Sequence, residues 1–132
     1  EGLGGNMRLG GQDVAVLPGS MLARLYNGAE QIRLRFRHRY EVDPAYIERL
    51  EAAGLVFSGR AIKHPIMQVL ELPTETHPFF MGTQAHAELT SRPLRPDPMF
   101  VGFVRAAMMR SGAPDPFVDK PAAEPEPGHL VR

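Results

Sequence analysis

IRLRFRHRYEV, from Ile32 to Val42, is the stretch on which the fold turns. Ile32, Leu34, Phe36, His38 and Tyr40 alternate there with Arg33, Arg35, Arg37 and Arg39. Successive side chains of a strand point to opposite faces. The alternation therefore predicts a strand with one apolar face and one arginine face. Directly behind it stands Asp43-Pro44, a capping residue followed by the residue best suited to the first helical position. AYIERLEAA then predicts an amphipathic helix with Tyr46, Ile47, Leu50 and Ala53 on one stripe, stopped by Gly54. A strand feeding a helix is the repeating step of an α/β fold.

The same reading extends outward in both directions. QDVAVL (residues 12–17) predicts a strand closed by Pro18-Gly19, and Ser20 is placed to cap a short helix, MLARLYNG, with Gly28 as its stop. LVFSGR and IMQVLEL predict strands, the second ended by Pro73. FFMGTQA predicts a short strand leading to His86. The prolines of SRPLRPDP require a loop, and PMFVGFVRAAMMR predicts a helix burying Met99, Phe100, Phe103, Val104 and Ala107. One domain over residues 1–110 is expected, followed by a Pro-rich tail over 111–132 too poor in apolar residues to pack. MRLG, after a double glycine, reads either as a loop bordering a neighbouring domain or as a frayed end.

Composition narrows the function. A chain of 132 residues holds one domain, and its formal net charge of zero gives no electrostatic case for nucleic acid or a membrane surface. No apolar run approaches the roughly 20 residues that cross a bilayer. With no cysteine there is no disulfide framework or thiolate zinc site, and His38, His64, His77 and His129 lack ligand spacing, so no metal site is expected. A cytoplasmic protein is the natural expectation. The chain opens on EGLGGNMRLGG, without an initiator Met, and runs straight into strand-like sequence; a preceding segment is expected to be missing.

Chemistry concentrates in GTQAHAELTSRP, Gly82 to Pro93. On an extended backbone His86 and Glu88 project to the same side. Glu88 can then accept from one imidazole nitrogen and leave the other facing a nucleophile, which makes two members of a triad. A surface histidine beside a glutamate is the bland alternative. The arginine face has its own alternatives: an anion site, pairing with Glu41 or Glu48, or a solvated face. A nucleic-acid strip finds no basic reinforcement elsewhere in the chain.

The apolar strand followed by G-x-Q-x-H-x-E resembles the His–Glu segment of class I glutamine amidotransferases. GGNMRLG (4–10), FRHRYEVD (36–43), AGLVFSG (53–59) and SRPLRPDPMFVGF (91–103) are similar, in order and spacing, to segments of one family, CTP synthase. The resemblance implies the C-terminal portion of a flavodoxin-like amidotransferase domain, a central mixed sheet flanked by helices. It implies that His86 and Glu88 serve a cysteine lying upstream, and that Arg39 binds the substrate glutamine. It further implies a separate synthetase domain that uses ATP and Mg2+ to aminate UTP, no cofactor in this chain, and assembly of the parent into homo-tetramers. The sequence departs from the family pattern at Ala87, where Pro is usual, at Phe36 and Asp43 for His and Asn, and at Asn6 for Thr. A non-catalytic amidotransferase-like regulatory or interaction domain is the alternative, and an anion-binding module on the arginine strand is a third.

Overall fold

The computed structural model describes residues 7–115. Five strands form one sheet in the order β2-β1-β3-β4-β5, with β1 at Arg8–Val16, β2 at Gln31–His38, β3 at Val56–Ala61, β4 at Met67–Glu71 and β5 at Met81–Thr83. Helices α1 (Met21–Leu25), α2 (Ile47–Ala52) and α3 (Pro98–Arg110) accompany the sheet, as the α/β expectation requires. Every pairing between these strands is antiparallel. Parallel strands, which a mixed sheet also contains, are therefore not among the described residues.

The deciding stretch folds as its alternation dictates. Ile32, Leu34 and Phe36 are buried, while Arg33, Arg35 and Arg37 are exposed. Phe36, one of the departures from the family pattern, is among the most deeply buried side chains. The strand stops at His38, so Tyr40 does not extend the apolar face and is 77% exposed. The pairing partner of β2 begins earlier than expected. Arg8, Leu9 and Gly10 lie in β1 opposite His38, Arg37 and Phe36, which corrects the loop and frayed-end readings of MRLG. Arg8 closes that corner with a 2.7 Å ion pair to Glu41, and Arg33 pairs with Asp13 at 2.9 Å.

Val14, Val16, Ile32, Leu34, Phe36 and Val69 from the sheet meet Leu22 and Ala23 of α1 and Met99 of α3 in one core. Two glycines set how closely its layers approach. A Cβ on Gly59 would lie 2.8 Å from Cβ of Val69, and one on Gly102 would lie 2.5 Å from Cδ2 of Leu25. Gly59 has no room for a side chain, so β3 seats against β4 only with glycine there, whereas at Gly102 the tip of Leu25 would have to move aside.

Both longer helices are less buried than their stripes predict. Asp43 caps a 3-10 turn over Pro44–Tyr46, and α2 follows, but no residue of the turn or of α2 is fully buried. Of the α3 residues expected inside, only Met99 is buried. Phe100, Phe103, Val104 and Ala107 are exposed, and the other buried position is Gly102. A helix turns its apolar stripe toward whatever layer it packs on; Phe79 meets the edge of Phe103 with ring centroids 5.8 Å apart, and the rest of that side of α3 stays open. Of the Pro-rich stretch, Ser111–Asp115 continue from α3, with Asp115 paired to Arg105 at 2.8 Å, and residues 116–132 lie outside the described residues.

A buried carboxylate joins the sheet to α1. Glu71, at the end of β4, is 4% exposed and accepts from the backbone N–H groups of Met21 at 2.6 Å and Leu22 at 3.1 Å. The Ser20 hydroxyl accepts from Ala23 N–H at 3.0 Å, so the donors of the first turn are satisfied by side chains. Removing the carboxylate leaves buried N–H groups unpaired. Glu71→Ala is expected to destabilise the fold by about 3 kcal/mol, read as a lowered urea midpoint. A change within about 0.5 kcal/mol would show that the cap carries no weight.

Candidate functional site

Two backbone contacts position His86. Ala85 forms an antiparallel bridge with Phe36, and the N–H of His86 donates to the carbonyl of Arg35 at 2.8 Å. The segment after β5 thus returns to β2, on the far side of the sheet, and curls the sheet toward closure. Opposed residues of an antiparallel pair share a face. Ala85 accordingly joins Phe36 in the core, and His86 emerges on the arginine side.

His86 and Glu88 do come together, though not on an extended backbone. Residues Ala87–Leu89 form a 3-10 turn, with His86 as the residue before it at φ −103° and ψ 83°. Around that turn Nδ1 of His86 lies 2.6 Å from Oε1 of Glu88. Ala87 points inward and is buried. The Thr90 and Ser91 N–H groups both return to the Ala87 carbonyl, at 3.1 and 2.9 Å, and hold the turn shut.

The contact fixes the chemistry of the ring. An ionised carboxylate only accepts, so the proton of the neutral imidazole stays on Nδ1 and the lone pair is on Nε2. Glu88 is held below the usual carboxylate range, first by the hydrogen bond from His86 and then by a backbone hydrogen bond, with smaller help from the charges of His86 and Arg37. The pair is open: the side chains of His86 and Glu88 are 35% and 58% exposed. This arrangement is an imidazole with an oriented tautomer and one ring nitrogen free of the carboxylate.

Arg39 lies outside the dyad. It sits in the bend after β2, exposed, and among the described residues its side chain makes no hydrogen bond or ion pair. The residues of β2 that meet the His86 segment are Arg35 and Phe36, and the charge that reaches Glu88 is that of Arg37. Sequence reasoning gave Arg35 and Arg37 no part beside the dyad: both were read as structural or solvated, with Arg37 entering only in the anion-binding alternative. Their role depends on contacts across about 50 positions of sequence, which no local pattern announces. Among the described residues no three His, Asp or Glu side chains converge to hold a metal ion. Among the described residues no helix is long and apolar enough to cross a membrane.

The sequence and the fold match a known family. Residues 1–106 match the family model for glutamine amidotransferase class-I, and the chain belongs to that family. Within it, the relatives are CTP synthases. The enzyme of Thermobifida fusca is 50% identical over 109 residues, 83% of this chain and 20% of that protein. That of Archaeoglobus fulgidus is 53% identical over 106 residues, 80% of this chain and 19% of that protein. Among solved structures, the glutaminase domain of Trypanosoma brucei CTP synthase with bound acivicin superposes with a TM-score of 0.72 at 34% identity, covering 79% of this chain and 40% of that one. The chain therefore spans about a fifth of the length of these curated relatives.

The depressed carboxylate gives a direct test of the dyad. A group whose folded pKa is lowered contributes above its unfolded value and loses that contribution as pH falls through the folded value. The His86–Glu88 pair should therefore persist through the ordinary carboxylate range and break only below it. Carbon-13 NMR titration of the Glu88 carboxyl should give a midpoint below that of an unpaired glutamate, and His86→Ala should return it upward. An ordinary midpoint that is indifferent to His86 would show that the pair does not form in solution.

Proposed function

We propose that this chain is the His–Glu portion of the glutaminase site of a cytoplasmic CTP synthase, and that it releases ammonia from glutamine for the amination of UTP. The observation that carries this reading is the 2.6 Å contact between His86 Nδ1 and Glu88 Oε1, which leaves Nε2 unprotonated. The sequence contains no cysteine, so the nucleophile is assigned to residues outside this chain. On its own, this segment hydrolyses no glutamine.

The steps follow from the dyad. Nε2 of His86 takes the thiol proton as sulfur attacks the glutamine side-chain amide. The imidazolium that forms is stabilised by Glu88, and its proton passes to the departing nitrogen, which leaves as ammonia. Water then attacks the thioester, giving its proton to Nε2, and the thiol is regenerated with glutamate as product. Arg39 is assigned to the α-carboxylate of glutamine, a role supported by its exposure and by the lack of a competing partner among the described residues. ATP, Mg2+ and UTP are assigned to the synthetase part of the enzyme, a reading supported by the likeness to CTP synthases. That part supplies phosphoryl activation of UTP. Assembly as a homo-tetramer belongs to the same reading.

Activity separates these roles. In the complete enzyme, His86→Ala should abolish glutamine-dependent CTP formation and leave ammonia-dependent formation intact. Glu88→Gln should be the milder change, because it disturbs the tautomer rather than removing the base; a loss of about 10²–10⁴-fold is expected for removing a general base outright. Loss of both activities in His86→Ala would contradict the assignment. A further variant addresses the substrate. Arg39→Ala should raise KM for glutamine by about tenfold or more while kcat with ammonia stays unchanged. An unaltered KM would remove Arg39 from the pocket.

A further inference from the structure

Four residues beyond Glu88 the chain enters a turn, Arg92–Arg95, whose tip packs on neither the core nor the dyad. Leu94, at its tip, is 100% exposed. One exposed leucine is ordinary on a protein surface. What sets Leu94 apart is how firmly it is held in that position.

Arg92 and Arg95 close the turn with paired backbone hydrogen bonds, Arg92 N–H to Arg95 O at 3.1 Å and Arg95 N–H to Arg92 O at 3.0 Å. Pro93 occupies the position where its fixed φ favours a turn, and Pro96 stiffens the exit. The Arg92 guanidinium is pinned beside the tip by the carbonyls of Ser91 at 2.6 Å and Leu89 at 3.3 Å. At the base, the Ser91 hydroxyl accepts from Asp97 N–H at 3.0 Å, and Asp97 in turn caps α3 through Met99 N–H at 2.9 Å. The turn therefore displays an apolar side chain between two cations, with its ordering entropy already spent in folding.

We infer that the Arg92–Arg95 turn is a docking element, and that Leu94 inserts into an apolar socket rimmed by carboxylates on the synthetase part of the same enzyme. The inference rests on the glutaminase reading above. Ammonia released at His86 into neutral water gains a proton and loses its nucleophilic lone pair, so the aminating part must seat against the rim of the dyad. The turn is anchored to that rim, since Ser91 N–H donates to Ala87 O at 2.9 Å inside the His86–Glu88 turn. The remaining four-fifths of the relatives' length lies outside the matched segment, which leaves ample surface for the socket.

The test uses the complete enzyme and two variants, Leu94→Ser and Arg95→Glu, neither of which removes a buried group. Three rates are measured: glutamate release, CTP formed from glutamine, and CTP formed from ammonium chloride. Docking predicts that glutamate release and ammonia-driven CTP formation stay within about twofold of the unmodified enzyme, while CTP formed per glutamate falls roughly tenfold, as expected for a central interface residue. An unchanged ratio in both variants would overturn the proposal. So would a parallel fall in glutamate release, because the turn would then pack within the glutaminase part. Failure of the unmodified enzyme to release glutamate would instead overturn the glutaminase reading, and the docking role with it.

Discussion

The return of Ala85 and His86 to the edge of β2 is the contact on which the rest depends. A bridge to Phe36 and one 2.8 Å hydrogen bond to the Arg35 carbonyl curl the sheet back on itself. Without that contact β5 would hang from β4 alone, and nothing would bring His86 out on the arginine side. The bridge is also where core and chemistry meet. It buries Ala85 against Phe36 and, by the alternation of the strand, turns the next residue outward. A position one residue off would bury the histidine and expose the alanine.

Reactivity then arises from a short turn rather than a deep pocket. The 3-10 turn at Ala87–Leu89 brings a carboxylate to one ring nitrogen and frees the other. Both side chains stay substantially exposed, so the structure holds an oriented base beside an open wall. The outer stripe of α3, where Phe100 and Phe103 are exposed, is covered only in part, by Phe79 against Phe103.

Much of this was readable in the sequence where the pattern is local. The alternation from Ile32 to Phe36, the Asp43-Pro44 start and the Ser20 cap each state a backbone preference in adjacent residues, and each formed. What escaped depends on partners far away in sequence. Arg8 joins a strand because His38 lies opposite it, which a double glycine and a chain end concealed. The α3 stripe was legible as apolar but not as largely exposed, since periodicity reports a face and not what lies against it. The dyad itself was visible as His86 and Glu88. Its geometry was not, because an i to i+2 spacing fits a strand and a tight turn alike. The Glu71 cap, which spans about 50 positions, left no sequence signal at all.

The central claim is that His86 serves a cysteine contributed from outside this chain. The most direct measurement is intact mass of the complete enzyme after treatment with an electrophilic glutamine analogue. The account predicts one adduct per subunit, on a single cysteine beyond these residues, forming much more slowly when His86 is replaced by Gln. Absence of an adduct, or a rate indifferent to His86, would contradict it.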